Sequence, residues 1–560
     1  KLGNITKERT QRTNSEEVTE VYSEYDILGR RIKLNSNLGA DISYELDKLS
    51  NISKITAGDW EAKIDYDKLG LEIQRELTGN VTNQTRRDRL GRMRHQTARS
   101  DYGTLLWKEY QWGVDYRLYD IIDHAYKDRD ASFEYDDRGY LVRAIYDRKE
   151  EQFRTPDKLG NLYETKNKTD RKYTNSQLQQ DRTYYYHYDV EGNLIFKEHI
   201  KDVGYRPVFS GGELRDLGIN PKSTGKGILY TWNANSSLRS VTDLEGVTYR
   251  FRYDAFGRRL EKRRMSSTFR FVWDGNVLLH ETFKRDNSEN TELTTWIFEG
   301  FVPTAKLVNG KAYSIISDHL GTPILAIDSD GMEVWNRQLD IYGRVRKEYK
   351  HSSLGDEVFP FVPFLYQGQY YDFETNLAYN RFRYYSPESG MYISQDPIKL
   401  LGSTPNLYMY VKDPNISIDI WGLDSTKLNA ALGGVVGDGM AAHHLIPETV
   451  YNGHSAFFNA IGVERDDAKN GLLMPSTFNK AIELGDPTMI VHCGGHPDYI
   501  NEVENKVTAI ENEFKDLTKE EVRNEAEKKI RELQEELRKD ILSKKKGVKN
   551  TECGGSNTLA

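Results

Sequence analysis

One short phrase recurs along most of the chain and limits what it can fold into. It reads YDILGRRIKL from Tyr25, YDKLGLEIQREL from Tyr66, YDDRGYLVRAIY from Tyr135, YDVEGNLIFKE from Tyr188 and YDAFGRRLEKR from Tyr253. Looser copies fill the gaps, among them RRDRLGRMRHQT, TPDKLGNLYET and DHLGTPILAID. Each copy ends a strand on Tyr, turns through Asp-x-x-Gly and restarts with alternating side chains. The Asp side chain can accept hydrogen bonds from turn backbone, and Gly takes the positive-φ position that other residues resist. Rough alternation after the turn, as at Leu194, Phe196 and His199, is a strand pattern. The repeating unit is therefore a β-hairpin.

A single hairpin is marginal in water, so an array of them must stack to bury its apolar faces. Such a strip exposes its edges unless it coils or closes. Composition agrees with a mostly β chain: 36 Tyr and 44 Gly stand against 15 Pro. A length of 560 residues predicts several domains, an expectation that a repeat array relaxes. The mean hydropathy of -0.72 and a charged fraction of 29% describe a soluble protein, with no apolar run long enough to span a bilayer. No signal peptide opens the chain, and Lys1 falls in the middle of a repeat-like phrase, so the chain reads as a fragment of something longer. Two cysteines argue against a disulfide framework, and a net charge of -8 gives no global attraction to nucleic acid. Repetition alone leaves a β-propeller or an open β-solenoid as alternatives.

From Phe359 the texture changes to FPFVPFLYQGQYYDFETNLAYNRFRYYSPESGMYISQDPI. With the repeats before it, this segment resembles the Rhs/YD-repeat family and its Rhs-associated core. The resemblance covers most of residues 1–423. It implies a coiled, hollow β-shell over 1–358 and a plug over 359–423, followed by a separate cargo over 424–560.

Two acids mark the junction. Asp396 precedes Pro397, and Asp419 lies 23 residues later, four before Leu423. Taken alone, both read as turn residues. The family resemblance implies instead a self-cleaving, aspartic-protease-like pair that cuts after Leu423. Two close carboxylates share a proton, so one can act as base while the other stays protonated. The chain departs from the family pattern at Lys399 and Ile420, which puts the cleavage rate in question. Asp413, also beside a proline, is read as a turn residue.

Beyond Asp424 the repeats stop. AAHHLIPETV is followed by the Asn470 phrase NGLLMP and then by HCGGHPDY, which holds His492 and His496. Neighbours in a strand point to opposite faces, so His443 and His444 cannot both enter a core. Histidine is both the commonest metal ligand and a natural base near neutral pH. The order resembles the AHH group of the HNH (ββα-metal) nucleases. That resemblance implies His443 as metal ligand, His444 as general base, Asn470 as its orienting residue and His496 as the main second-half ligand. His492 is a further ligand or a phosphate contact. His454 has no motif position and is read as surface, and Cys493 is a weak zinc signal. Thr518 to Glu521 form a capping box. Val522, Ala526, Ile530, Leu533, Leu537 and Ile541 then recur at coiled-coil-like spacing. This helix could pack on the nuclease, bind a partner or stand solvated. The run Lys544 to Lys546 is either a phosphate contact or a basic tail.

The expectation is a mostly β chain: a YD-repeat shell followed by a small α+β nuclease domain with C-terminal helices. Its function would be that of an antibacterial toxin with a metal-dependent endonuclease cargo. The substrate would be DNA and the cofactor Mg²⁺ or Zn²⁺. Partners implied by the resemblance are a cognate immunity protein and a secretion-apparatus tip protein or chaperone, with type VI delivery into a target-cell cytoplasm. Rival readings are a YD-repeat adhesion protein with a structural His site, an RNase cargo, and a toxin-complex shell around a modifying enzyme.

Overall fold

The computed structural model describes residues 4–11, 17–355, 359–397, 406–422, 440–447, 450–451, 454–463, 468–475, 491–492, 497–514, 517, 519–542 and 558–559. Two compact units divide the chain. One comprises Lys1–Pro397 with Pro405–Gly422, the other Ile398–Thr404 with Leu423–Ala560.

The first unit is a meander. Fourteen strands, Lys7–Gln11 to Glu150–Phe153, form one sheet in strict chain order, and sixteen, Lys172–Thr174 to Val345–Lys350, form a second. The reason lies in the turn. Asp67 Oδ1 accepts the N–H groups of Leu69 and Leu71 at 2.8 and 2.9 Å. Its own N–H and C=O bond to Leu71 and Gly70. Gly70 sits at φ +77°, where a Cβ is disfavoured, and the strand register shifts by one between Asp65 and Tyr66. In four copies an Arg at the fourth position after the Asp donates Nε to the second carboxylate oxygen, at 2.6–2.7 Å for Arg30, Arg92, Arg258 and Arg344.

The aromatic residue has a task that its position did not reveal. Its polar tip reaches a carbonyl near the start of the neighbouring strand. Tyr66 bonds Ile52 at 2.8 Å, Tyr253 bonds Leu238 at 2.7 Å and Trp112 Nε1 bonds Met93 at 2.7 Å. The residue thus buries its ring while satisfying a carbonyl next to the register shift.

The two sheets lie against each other in the same chain order. Arg31 pairs with Asp274, Trp60 Nε1 donates to Ser314 Oγ at 2.9 Å, Gln96 Nε2 donates to the Ser317 carbonyl, and Gln338 Nε2 donates to that of Arg129. As residues advance in the first sheet their partners advance in the second, so the ribbon winds back beside itself. Ile42, Ile55 and Trp60 share one core with Ile297, Ile316 and Leu325.

Residues 359–397 and 406–422 pack on both sheets and contain a short four-stranded sheet, Tyr370–Asp372, Leu377–Asn380, Arg383–Ser386 and Met391–Tyr392. Much of this segment is irregular, and its carbonyls lack ladder partners. Buried cations from the sheets fill the gap. Arg154 Nη2 donates to Val411 at 2.7 Å, Lys306 Nζ to Phe361 at 3.0 Å, and Arg337 to Val362 at 3.3 Å. Burial pushes the Arg337 guanidinium down to about 10. Asp372, fully buried, accepts from Arg259 and lies 3.0 Å from Lys262 Nζ.

In the second unit the strand Met440–His444 pairs antiparallel with Gly471–Pro475. A short helix, Ser455–Ala460, and two long ones, Pro497–Glu513 and Glu520–Leu542, complete it. Ala526, Ile530, Leu533, Leu537 and Ile541 are all buried in one core with Leu445, Ile446, Phe457 and Phe458. Of the three options for this helix, packing within its own unit is the one realised. Lys544 to Lys546 and Thr518 lie outside the described residues. His454 is not a surface residue. Only 10% of its side chain is exposed, and its two ring nitrogens face Glu511 at 2.5 Å and Glu504 at 3.0 Å. The helix Pro497–Glu513 presents both carboxylates on one face, which sequence spacing around His454 could not reveal.

Removing one partner of a buried pair leaves the other charge uncompensated. Asp372→Asn is therefore expected to destabilise the first unit by about 3–5 kcal/mol. A lowered chemical-denaturation midpoint would report it; an unchanged midpoint would rule out Asp372 as an anchor.

Candidate active site

The first candidate centre forms at the end of the strand Met440–His444. His444 is half-buried and pairs with Gly471, and His443 pairs with Leu472. Asn470, 1% exposed, grips the main chain just beyond them. Its Oδ1 accepts from Ile446 N–H at 2.9 Å, its Nδ2 donates to Ile446 C=O at 3.2 Å, and its own carbonyl accepts from Leu445 N–H at 2.8 Å. The residue expected to orient His444 thus fixes the backbone that carries it. Tyr499 Oη adds a bond to the Leu445 carbonyl at 2.6 Å.

The C-terminal helix braces this clamp, which the sequence reading missed. Gln534 Nε2 donates to Asn470 Oδ1 at 3.2 Å, and Arg538 Nη2 donates to the carbonyls of Lys469 and Gly471 at 3.0 and 3.1 Å. The two side chains lie one helical turn apart, so a single helix face holds both sides of Asn470. For His492 the main chain is described, on the short strand Val491–His492, which lies against Gly471–Pro475. His496 and Cys493 lie outside the described residues.

The second candidate centre lies in the first unit. Asp396 and Asp419, each 4% exposed, meet on one guanidinium. Arg383 Nη2 is 3.0 Å from Asp396 Oδ2 and 3.3 Å from Asp419 Oδ2. Tyr392 Oη donates to Asp419 Oδ2 at 2.8 Å. Arg383 Nε also donates to the carbonyl of Gly422, the residue before Leu423. Leu423 and Lys399 lie outside the described residues. Ile420, the other departure from the family pattern, packs its carbonyl onto Gly368, where an added Cβ would come within 2.4 Å. Sequence reasoning missed Arg383 and Tyr392, although two buried carboxylates demand a cation and the RFRYY phrase offers one. Asp413 keeps its turn role, accepting from Asn415 N–H at 2.9 Å, and burial pushes its carboxyl up to about 6.

Comparison with known proteins finds a family match in each part of the chain. The teneurin YD-shell model matches residues 73–412, more than half of the chain. Residues 426–537 match a nuclease family of the HNH/ENDO VII superfamily with conserved AHH. The chain belongs to the YD-shell family, and its C-terminal part is similar to the AHH nucleases. "Probable deoxyribonuclease RhsB" of Dickeya dadantii is 30% identical over 263 residues, 46% of this chain and 16% of that protein. "Double-stranded DNA deaminase toxin A" of Burkholderia cenocepacia is 27% identical over 466 residues, 71% of this chain and 30% of that protein. The solved Photorhabdus luminescens Tc holotoxin pore shares the fold, with a TM-score of 0.52 and 17% identity over 73% of this chain and 21% of that one. The chain thus spans less than a third of each.

Asn470→Ala would strip both polar groups of Ile446 from their partner, at about 1–3 kcal/mol each. Hydrogen exchange of the Ile446 amide in the full chain is expected to speed up roughly 10- to 100-fold, the response to about 1.4–2.8 kcal/mol of lost local stability. An unaltered rate would remove Asn470 from its place as clamp.

Proposed function

We propose that this chain is the shell and effector portion of a secreted antibacterial toxin. Its C-terminal unit hydrolyses nucleic-acid phosphodiesters, with DNA as the favoured substrate. The observation that carries this reading is the match to the AHH nuclease family over a segment whose His444 strand end is clamped by Asn470. Two relatives named as probable deoxyribonucleases support DNA, and two named as tRNA nucleases keep RNA as the second reading. The shell alone would not choose the activity, because a relative matching over most of this chain is named a deaminase toxin.

In this reading His444 takes a proton from the attacking water, and Asn470 keeps the strand end that carries it rigid. His443, His496 and His492 would hold a divalent ion. Imidazole donors suit zinc and other first-row ions. When bound, the ion supplies charge neutralisation at the scissile phosphate and leaving oxygen. Global charge does not draw the substrate in, since the chain is net acidic. A cognate immunity protein, a secretion-apparatus tip protein or chaperone, and delivery into a target-cell cytoplasm complete the proposal.

The cargo is released by self-cleavage after Leu423. The meeting of Asp396 and Asp419 on Arg383 supports this step. Two such acids can activate water and polarise a carbonyl together. Release inside the producing cell would be lethal without containment, which gives the shell a physical purpose.

Two experiments test the proposal. Plasmid degradation by the purified chain is expected to be abolished by EDTA and lowered about 10²- to 10⁴-fold by His444→Ala with folding intact; undiminished degradation would sink the assignment. Structured RNA cut in preference to plasmid would move the cargo to the RNases. On a denaturing gel the natural chain should run as two bands and Asp419→Asn as one. A single intact band from the natural chain would show the junction to be inert.

A further inference from the structure

Asn470 is one link in a longer run of hydrogen bonds whose directions are fixed from both ends. At one end Ile446 offers a main-chain N–H, which can only donate, and a C=O, which can only accept. The Asn470 amide therefore turns Oδ1 to the N–H at 2.9 Å and Nδ2 to the C=O at 3.2 Å. At the other end stands Arg531, whose guanidinium can only donate. Its Nη1 reaches Gln534 Oε1 at 3.2 Å. Gln534, 1% exposed, then has its NH₂ group for Asn470 Oδ1, also at 3.2 Å. Both ends require the same two amide orientations. Arg531 is itself tied to Glu527, one helical turn earlier, at 3.4 Å.

We infer that Gln534, oriented by Arg531, is a positioning residue for the nuclease reaction, acting through Asn470 on the strand end that carries His444. This rests on the nuclease reading of the C-terminal unit. His444 is the last residue of its strand, opposite Gly471. A strand end frays unless the residues that follow it are held. Leu445 N–H bonds the Asn470 carbonyl at 2.8 Å, and both polar groups of Ile446 bond the Asn470 side chain. Asn470 Oδ1 takes one hydrogen from Ile446 and one from Gln534, so a turn of the amide about its last bond would lose both.

The position asks for a glutamine. A side chain placed between a guanidinium and an amide oxygen must accept on one side and donate on the other, and a primary amide does both. Glutamate would aim an acceptor at Asn470 Oδ1. Methionine would fill the space and offer no donor. Lysine would set a second cation against Arg531. The same helix carries Arg538 to the carbonyls of Lys469 and Gly471, on either side of Asn470, at 3.0 and 3.1 Å. One helix face therefore reaches both the side chain and the flanking main chain of the clamp.

A double-mutant cycle on turnover tests this, because a residue that acts through Asn470 loses its effect when Asn470 is gone. Plasmid cleavage by the full chain is measured with Mg²⁺ or Zn²⁺, whichever supports the natural protein. Gln534→Met is expected to lower kcat about 10-fold while KM stays within about twofold, since the residue touches no substrate. In the Asn470→Ala background the same change should lower kcat by less than about twofold. Gln534→Glu keeps the natural volume and should be slowed at least as much as Gln534→Met. Glu536→Gln, on the same helix, breaks only the exposed pair with Lys506, at 2.7 Å, and should leave kcat in place. Thermal unfolding checks that each variant is folded at the assay temperature. Natural kcat in Gln534→Met or Gln534→Glu, the full loss repeated in the Asn470→Ala background, or an equal loss in Glu536→Gln would overturn the assignment while leaving the nuclease standing. No plasmid cleavage by the natural chain would overturn both.

Discussion

The self-sufficient Asp-x-x-Gly turn is the interaction on which the rest of the first unit depends. One carboxylate oxygen satisfies two backbone donors, Gly accepts the left-handed conformation, and the register shift re-aims the next strand. Where a Tyr precedes it, as at Tyr66 and Tyr253, the phenol hydrogen closes the remaining carbonyl. Each turn therefore settles its own polar groups, and the ribbon can lengthen without a new core at every step. The apolar faces are then buried only because the ribbon winds back beside itself, as the Trp60 to Ser314 and Arg31 to Asp274 contacts show.

Residues 359–397 and 406–422 use a different device. They lack long ladders, so buried Arg and Lys side chains from the two sheets donate to their carbonyls. A buried cation is costly unless its donors are all used, and carbonyl-rich irregular backbone is where they can be. Arg383 is the same device turned on two carboxylates and on Gly422. In this region, holding the segment and arranging its acids are one problem of placing donors in a dry interior.

The second unit repeats the logic with a neutral group. Asn470 satisfies both polar groups of Ile446, and Gln534 and Arg538 hold Asn470 and its neighbours from the helix Glu520–Leu542. A helix that reads as a tail by its position is part of the support of His444. Its coiled-coil-like stripe meets Leu445, Ile446, Phe457 and Phe458 rather than a second copy of itself. Heptad spacing specifies an apolar face and says nothing of what covers it.

Sequence by itself determined the hairpin unit, its Asp and Gly turn chemistry and the mostly β character of the chain, because these are local and repeat. It also marked Asp396, Asp419, His444 and Asn470, since short motifs keep chemistry-bearing residues at recognisable spacing. Only the tertiary structure decided that Arg383 touches both acids, that Tyr392 donates to Asp419, that His454 is enclosed by Glu504 and Glu511, and that Gln534 reaches Asn470. Those contacts join residues brought together from separate elements by the packing of buried faces. A hydrogen-bond partner chosen by packing leaves no periodic trace in the chain, whereas a turn that satisfies itself writes its partners within four residues.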